Sequence, residues 1–147
     1  MNNEITDHKV TRTGWPAGPW DAEPDRVEWR HAGLPCLILR NFDGALCGYA
    51  AVPPGHPDHG RDYNDIYADV HGGLTYAGKC AGAICHVPAT GEPDAVHWFG
   101  FDCAHYGDFA PGHAASWRTI APDDSYKGMA YVTAQVNGLA EQLAARS

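Results

Sequence analysis

Cys36-Leu37-Ile38-Leu39-Arg40-Asn41-Phe42-Asp43-Gly44-Ala45-Leu46-Cys47-Gly48-Tyr49-Ala50-Ala51-Val52 decides the fold. Its first five residues are nearly all apolar, as a central strand requires. Residues 41–44 supply turn chemistry and residues 45–52 return, so the stretch predicts a hairpin. Upstream, Arg26-Val27-Glu28-Trp29-Arg30 alternates polar and apolar side chains and predicts an edge strand, turned by residues 31–35. Downstream, Pro53-Pro54-Gly55-His56-Pro57-Asp58-His59-Gly60 must be a stiff loop, because its prolines cannot donate to a ladder.

Two later stretches predict further strands, residues 68–74 and 95–103, the first entered through a helical turn or extended loop at residues 61–66. Gly72-Gly73 predicts a bulge or a close approach of another group to the backbone. Residues 77–94 read as a connection rich in Gly, Ala and Pro, and a loop is expected after residue 103 through Ser116. Met129, Val132, Val136, Leu139 and Leu143 fall at helical spacing and form one apolar stripe, with Ser125 as the expected N-cap. Gly128 and Gly138 each cost such a helix about 1 kcal/mol, so packing must hold it. The expectation is a loop-rich α+β fold, a mainly antiparallel sheet with the C-terminal helix on one face. Residues 1–13 read as a flexible arm and residues 14–147 as a single domain, with Trp15 and Trp20 plugging the chain onto its surface.

A formal net charge of −8 argues against long nucleic acids and anionic membranes, which need a basic face. No apolar run is long enough for a membrane span and no signal peptide is evident, so a cytoplasmic protein is expected. Five cysteines without a CxxC pair give little support to structural zinc. Cys36, Cys47 and Cys103 read as small buried hydrophobes, while Cys80 and Cys85 flank a Gly/Ala loop, a placement that leaves pairing or metal binding open to them.

The chemistry-bearing residues gather in two stretches, Asp69-Val70-His71-Gly72-Gly73-Leu74-Thr75-Tyr76 and His97-Trp98-Phe99-Gly100-Phe101-Asp102-Cys103-Ala104-His105-Tyr106-Gly107-Asp108. Imidazole and carboxylate together bind a divalent ion or move a proton near neutral pH, which singles out His71, His97, His105, Asp69, Asp102 and Asp108, and of these His71, Asp102, His105 and Asp108 enter the candidate ligand-binding set. Gly72, Gly73 and Thr75 offer backbone N–H groups and a hydroxyl to an anion. Tyr49, Tyr76 and Trp98 offer flat faces on which a base can stack. With His56 of the proline loop, these eleven residues are the candidate ligand-binding set. His71, Trp98, Asp102 and His105 are expected to line one pocket, His71 standing near Gly100 or Asp102 on a shared sheet face. For each alone the plainer use is a turn cap or a core position. No HExxH or EF-hand loop fixes a metal, and the sequence leaves any cofactor unidentified.

The pieces Gly18-Pro19-Trp20-Asp21, Leu46-Cys47-Gly48-Tyr49, Pro53-Pro54-Gly55-His56-Pro57, Val70-His71-Gly72-Gly73-Leu74-Thr75-Tyr76 and Phe99-Gly100-Phe101-Asp102-Cys103-Ala104-His105 resemble those of a family of small uncharacterised proteins of bacteriophages and their bacterial hosts, over roughly residues 14–145. Phage proteins of this size include ones that sequester or degrade nucleotide second messengers of bacterial immunity. The resemblance therefore implies a setting in the host cytoplasm. Two functions follow: a noncatalytic, homo-oligomeric binder of a nucleotide-derived small molecule, or a metal-assisted hydrolase of a phosphodiester or amide with His71, Asp102, His105 and Asp108 as ligands or base. A third is an acidic surface that blocks a host protein.

Overall fold

The computed structural model describes residues 8–88, 90–93, 95–115 and 124–146 and places the hairpin of residues 36–52 in the middle of a five-stranded antiparallel sheet. The strands are β1 (Arg26–His31), β2 (Leu34–Arg40), β3 (Leu46–Val52), β4 (Tyr76–Lys79) and β5 (His97–Asp102), in the spatial order β1-β2-β3-β5-β4. Ile38 lies opposite Gly48, Ala50 opposite Phe99, and Tyr76 opposite Gly100. Among the described residues two α-helices follow, the short α1 (Pro111–Ala115) and the long α2 (Met129–Ala144). The α+β expectation holds, with β1 at an edge as its alternating pattern requires.

The apolar stripe of α2 covers one face of the sheet. Val132, Val136, Leu139 and Leu143 are fully buried there against Cys36, Ile38, Leu46, Ala50, Val52, Phe99 and Phe101. Each such aliphatic side chain contributes roughly 1.5–3 kcal/mol by leaving water. Gly48 permits the approach: a Cβ there would stand 2.5 Å from Val136 Cγ2 and from Phe101 Cζ. The opposite face carries Leu37, Leu39, Tyr49, Ala51 and Trp98, covered by Cys80, Ala83 and Ile84. Covered on both sides, β2 is buried along its whole length, which accounts for its unbroken apolar run.

Several sequence expectations need correction. Residues 68–74 do not form a strand; the strand beside β5 is β4, which begins at Tyr76 and runs into the segment expected to be a connection. Ala68 and Val70 do bury their side chains beneath α2, so this stretch contributes an apolar face without being a strand. Side chains of α2 take the place of a strand partner. Gln142 exchanges hydrogen bonds with the backbone of Asp69 at 2.7 and 3.0 Å, and Gln135 Oε1 accepts the His71 N–H at 2.9 Å. Gly128 is the N-cap of α2, whereas Ser125 pairs by an isolated bridge with Asp108. The expected loop after residue 103 contains α1.

Residues 1–7 of the expected arm lie outside the described residues, while residues 8–13 are tied to the body. Val10 N–H donates to Asp25 at 2.8 Å and Arg12 is paired with Asp25. Trp20 is buried, stacked on Phe109 and edge-on to Tyr126. Beneath it lies a buried ion hub. Arg40, with no exposed surface, donates to Asp25 at 2.9 Å, Tyr126 Oη at 2.7 Å, Gly44 O at 2.9 Å and Glu23 at 3.2 Å.

Candidate functional site

The two histidine-bearing stretches meet as a pair of reverse turns at one end of the sheet. In the first, Gly73 N–H donates to Val70 O at 2.9 Å and Gly72 sits at φ +69°. In the second, Asp108 N–H donates to His105 O at 2.9 Å and Gly107 sits at φ +95°. Both turns need a residue at positive φ in their third position, which glycine supplies without strain. The close approach expected at Gly72 is realised by the His105 ring: a Cβ on Gly72 would lie 2.4 Å from its Cε1.

This docking brings His71, His105 and Asp108 together, with one donor atom of each within 4.8 Å of the others. His71 Nε2 stands 2.9 and 3.0 Å from the two oxygens of Asp108, and its Nδ1 stands 2.8 Å from Tyr131 Oη on α2. The His105 backbone N–H donates to Asp108 Oδ2 at 3.0 Å. Lys127 Nζ reaches Asp108 Oδ1 at 3.0 Å and is itself held by the Ser125 carbonyl at 3.0 Å and hydroxyl at 2.6 Å. The Asp108 side chain is buried, which pushes its carboxyl up. The His71 ring, the His105 amide and the Lys127 ammonium outweigh burial and hold it below the ordinary carboxylate value.

One group in this cluster is not satisfied. His105 Nδ1 is buried without a hydrogen-bond partner; its nearest carboxylate oxygens, on Asp108 and Asp102, are 3.5 and 3.6 Å away. Asp102 is turned elsewhere, accepting from Thr75 Oγ1 at 3.0 Å and from the Ala104 N–H at 3.1 Å. The cluster opens outward: a third of the His105 side chain is exposed, and the neighbouring Tyr106 is 98% exposed.

Of the eleven candidates, His71, Gly72, His105 and Asp108 form the cluster, with Asp102 and Thr75 at its rim. His71 meets Asp108 and not Asp102, because it sits in a turn and not on a strand beside β5. Trp98 is apart from it, fully buried on the sheet face opposite α2 in a cluster with the buried Tyr49 and the half-buried Tyr76. His56 is also buried and apart; its Nδ1 accepts the Asp58 N–H at 3.0 Å, so its Nε2 donates to Leu143 O at 2.8 Å and satisfies a terminal carbonyl of α2. The Gly73 and Thr75 amides are already spent on Val70 and Gly100 carbonyls. Tyr131 and Lys127 were not foreseen, since a lone tyrosine on a helix and a lone lysine before it carry no spacing signal.

No helix among the described residues is long and apolar enough to cross a membrane. Comparison of the chain with protein-family models, with curated proteins and with solved structures finds no match to any of them.

Proposed function

We propose that the chain holds a divalent cation of the zinc class through His71, His105 and Asp108 and uses it to activate water against a phosphodiester or amide. The observation that carries this reading is the unpartnered, buried Nδ1 of His105, aimed between two carboxylates beside a second imidazole. A buried ring nitrogen left without a partner costs about 1–3 kcal/mol, which a bound cation would offset. Zinc ligands at about 2.1 Å from the ion stand roughly 3.4 Å apart in a tetrahedron, so donors spaced within 4.8 Å need only small rotations to close on one ion.

Two imidazoles and one carboxylate leave a coordination position for water on the open side, the pattern of catalytic rather than structural zinc. Lys127 fixes Oδ1 of Asp108 and leaves Oδ2 toward the two rings. Tyr131 fixes the orientation of the His71 ring from its far side. Asp102, at the rim and 32% exposed, is the carboxylate placed to take a proton from bound water.

A second reading, a noncatalytic holder of a nucleotide-like phage or host signal, is favoured by one feature: the free ring of Tyr106 beside His105 offers a base a stacking surface. One experiment separates the two. Apo-protein is loaded with zinc, its metal content measured, and the protein incubated with an activated phosphodiester, an anilide and cyclic dinucleotides. Turnover lost in His105→Ala and Asp108→Asn, both retaining the wild-type fold, supports the hydrolase. Nucleotide recovered intact and in stoichiometric amount after heat denaturation supports the holder, with native mass spectrometry reading its subunit number. Absence of any zinc whose binding depends on His105 overturns the metal centre.

A further inference from the structure

A second set of ligating groups lies on the far side of the sheet. Residues 80–86 form a miniature hairpin. Ala81 N–H donates to Ile84 O and Ile84 N–H to Ala81 O, both at 3.0 Å, around a turn in which Gly82 has φ +55°. This backbone closure holds Cys80 and Cys85 with their Cα atoms 4.7 Å apart, and the two are joined as a disulfide. Of the two uses left open for these cysteines, pairing or metal binding, the structure takes the first, yet the hairpin would keep the sulfurs adjacent without the S–S bond.

His86 follows directly. It is buried, edge-on to Trp98 with ring centroids 5.7 Å apart, and it completes a group of three whose donor atoms lie within 4.8 Å of one another. Trp98 Nε1–H points at Cys80 Sγ from 3.3 Å, a donor that favours sulfur carrying negative charge. Arg26 is fastened to the Cys85 carbonyl at 2.9 Å, placing a guanidinium at the same corner.

We propose that Cys80, Cys85 and His86 form a soft-metal site in the reduced protein, taking zinc through two thiolates and an imidazole, and that the Cys80–Cys85 disulfide abolishes it. Two thiolates and an imidazole are a donor set suited to zinc, and a fourth position remains for water or an outside ligand. A dithiol reductant gives two hydrogens to the disulfide, yielding two protein thiols and the reductant's own disulfide. The thiols then lose two protons to water as the cation takes both sulfurs. The remaining cysteines are unsuited to this exchange. Cys36 and Cys103 are buried, and burial pushes the thiols of Cys36 and Cys47 up to about 12. Oxidation and metal binding therefore compete for one pair of sulfurs, on the face opposite α2.

Cobalt(II) tests the site, because sulfur ligands give it intense near-ultraviolet charge-transfer absorption that nitrogen and oxygen ligands do not. Wild-type protein, reduced with a dithiol and desalted without oxygen, should develop that absorption with one equivalent of cobalt and lose it to zinc. The same protein with its disulfide intact should show none, and this comparison needs no variant to fold. Cys80→Ser should remove the absorption. His86→Gln should weaken cobalt by more than the roughly 10–100-fold that loss of an outer partner costs. His71→Ala should leave the absorption unchanged, so failure here is distinct from failure of the His71–His105–Asp108 centre. Reduced wild-type protein without sulfur-to-cobalt absorption overturns the proposal, as does absorption that survives Cys80→Ser with Cys85→Ser.

Discussion

Two polar clusters sit at opposite extremes of satisfaction. Around Arg40 every donor direction of a fully buried guanidinium is answered by Asp25, Glu23, Tyr126 or a backbone carbonyl. Around His105 a ring nitrogen is buried with no answer, although acidic groups surround it. A buried charge must be paired to be tolerated, so the first cluster is complete as a piece of architecture. The second is complete only with something added. Saturation, more than residue type, separates the structural cluster from the functional one, since each contains buried aspartate under a cation.

The sharpest way to break this comparison is Arg40→Ala. It would leave Asp25 and Glu23 facing each other without their central cation, and a loss of roughly 3–5 kcal/mol is expected in urea unfolding. A loss no larger than an ordinary surface substitution would mean that the hub is not what fastens residues 8–25 to the sheet. Zinc binding per folded molecule should be unaffected.

Acid should strike the saturated ion pairs next. Burial raises the Asp25 carboxyl, but the Val10 N–H, Arg12 and Arg40 outweigh it and hold it low. Asp58, fully buried, is held low chiefly by its hydrogen bonds from Arg146 at 2.5 and 2.9 Å. A carboxylate whose folded pKa is depressed contributes stability that is fully present above its unfolded value, about 3.9, and is lost as pH falls through the folded value. The melting temperature should therefore fall as pH drops below about 4. Asp58→Asn should flatten that fall and Asp25→Asn should flatten it again. A profile unchanged in both variants would contradict the pairing.

How much of this was legible in the sequence divides along the same line. The hairpin of β2 and β3, the core of β5 and the stripe of α2 were readable because each buries a face whose period appears in the chain itself. His71, Gly72, His105 and Asp108 were readable as unusual chemistry beside glycine, and Gly72 even as a point of close approach. β4 was not, because Tyr76-Ala77-Gly78-Lys79 is too short and too poor in branched residues to show a strand. Trp98 read as a stacking wall, since only the folded hairpin of residues 80–85 shows that its face is covered. The Arg40 hub was hidden for a different reason. Its acids arrive from residues 23–25 and its phenol from residue 126, separations that no local pattern encodes.

Gly72→Ala probes the contact between the two turns. A Cβ at φ +69° is strained and would meet the His105 ring, so a cost of about 1–3 kcal/mol is expected in thermal or urea unfolding. Zinc affinity should fall together with stability, because the ring must swing out of the cluster. Unaltered affinity would show that His105 is not a ligand in that pose.

The smallest stability effect, and the most telling, is expected for His105→Ala. Truncation removes the ring's packing on Gly72 but also relieves the cost of its buried nitrogen without a hydrogen-bond partner among the described residues, so the two offset and unfolding free energy should change by no more than about 0.5 kcal/mol. Its backbone N–H to Asp108 Oδ2 survives the substitution, so the turn keeps its form. The response to zinc should be another matter. A cation that binds only the folded chain stabilises it by about 2.7 kcal/mol when supplied at a hundredfold excess over its dissociation constant. In oxidised protein, where the Cys80–Cys85 bond removes the competing thiolates, wild type and Arg40→Ala should both gain that increment while His105→Ala gains almost none. Should His105→Ala instead melt several degrees lower without zinc, the ring is a packing element on Gly72. If it gains the full zinc increment, the cation is held elsewhere, and in either case the contrast between saturated and unsaturated clusters fails.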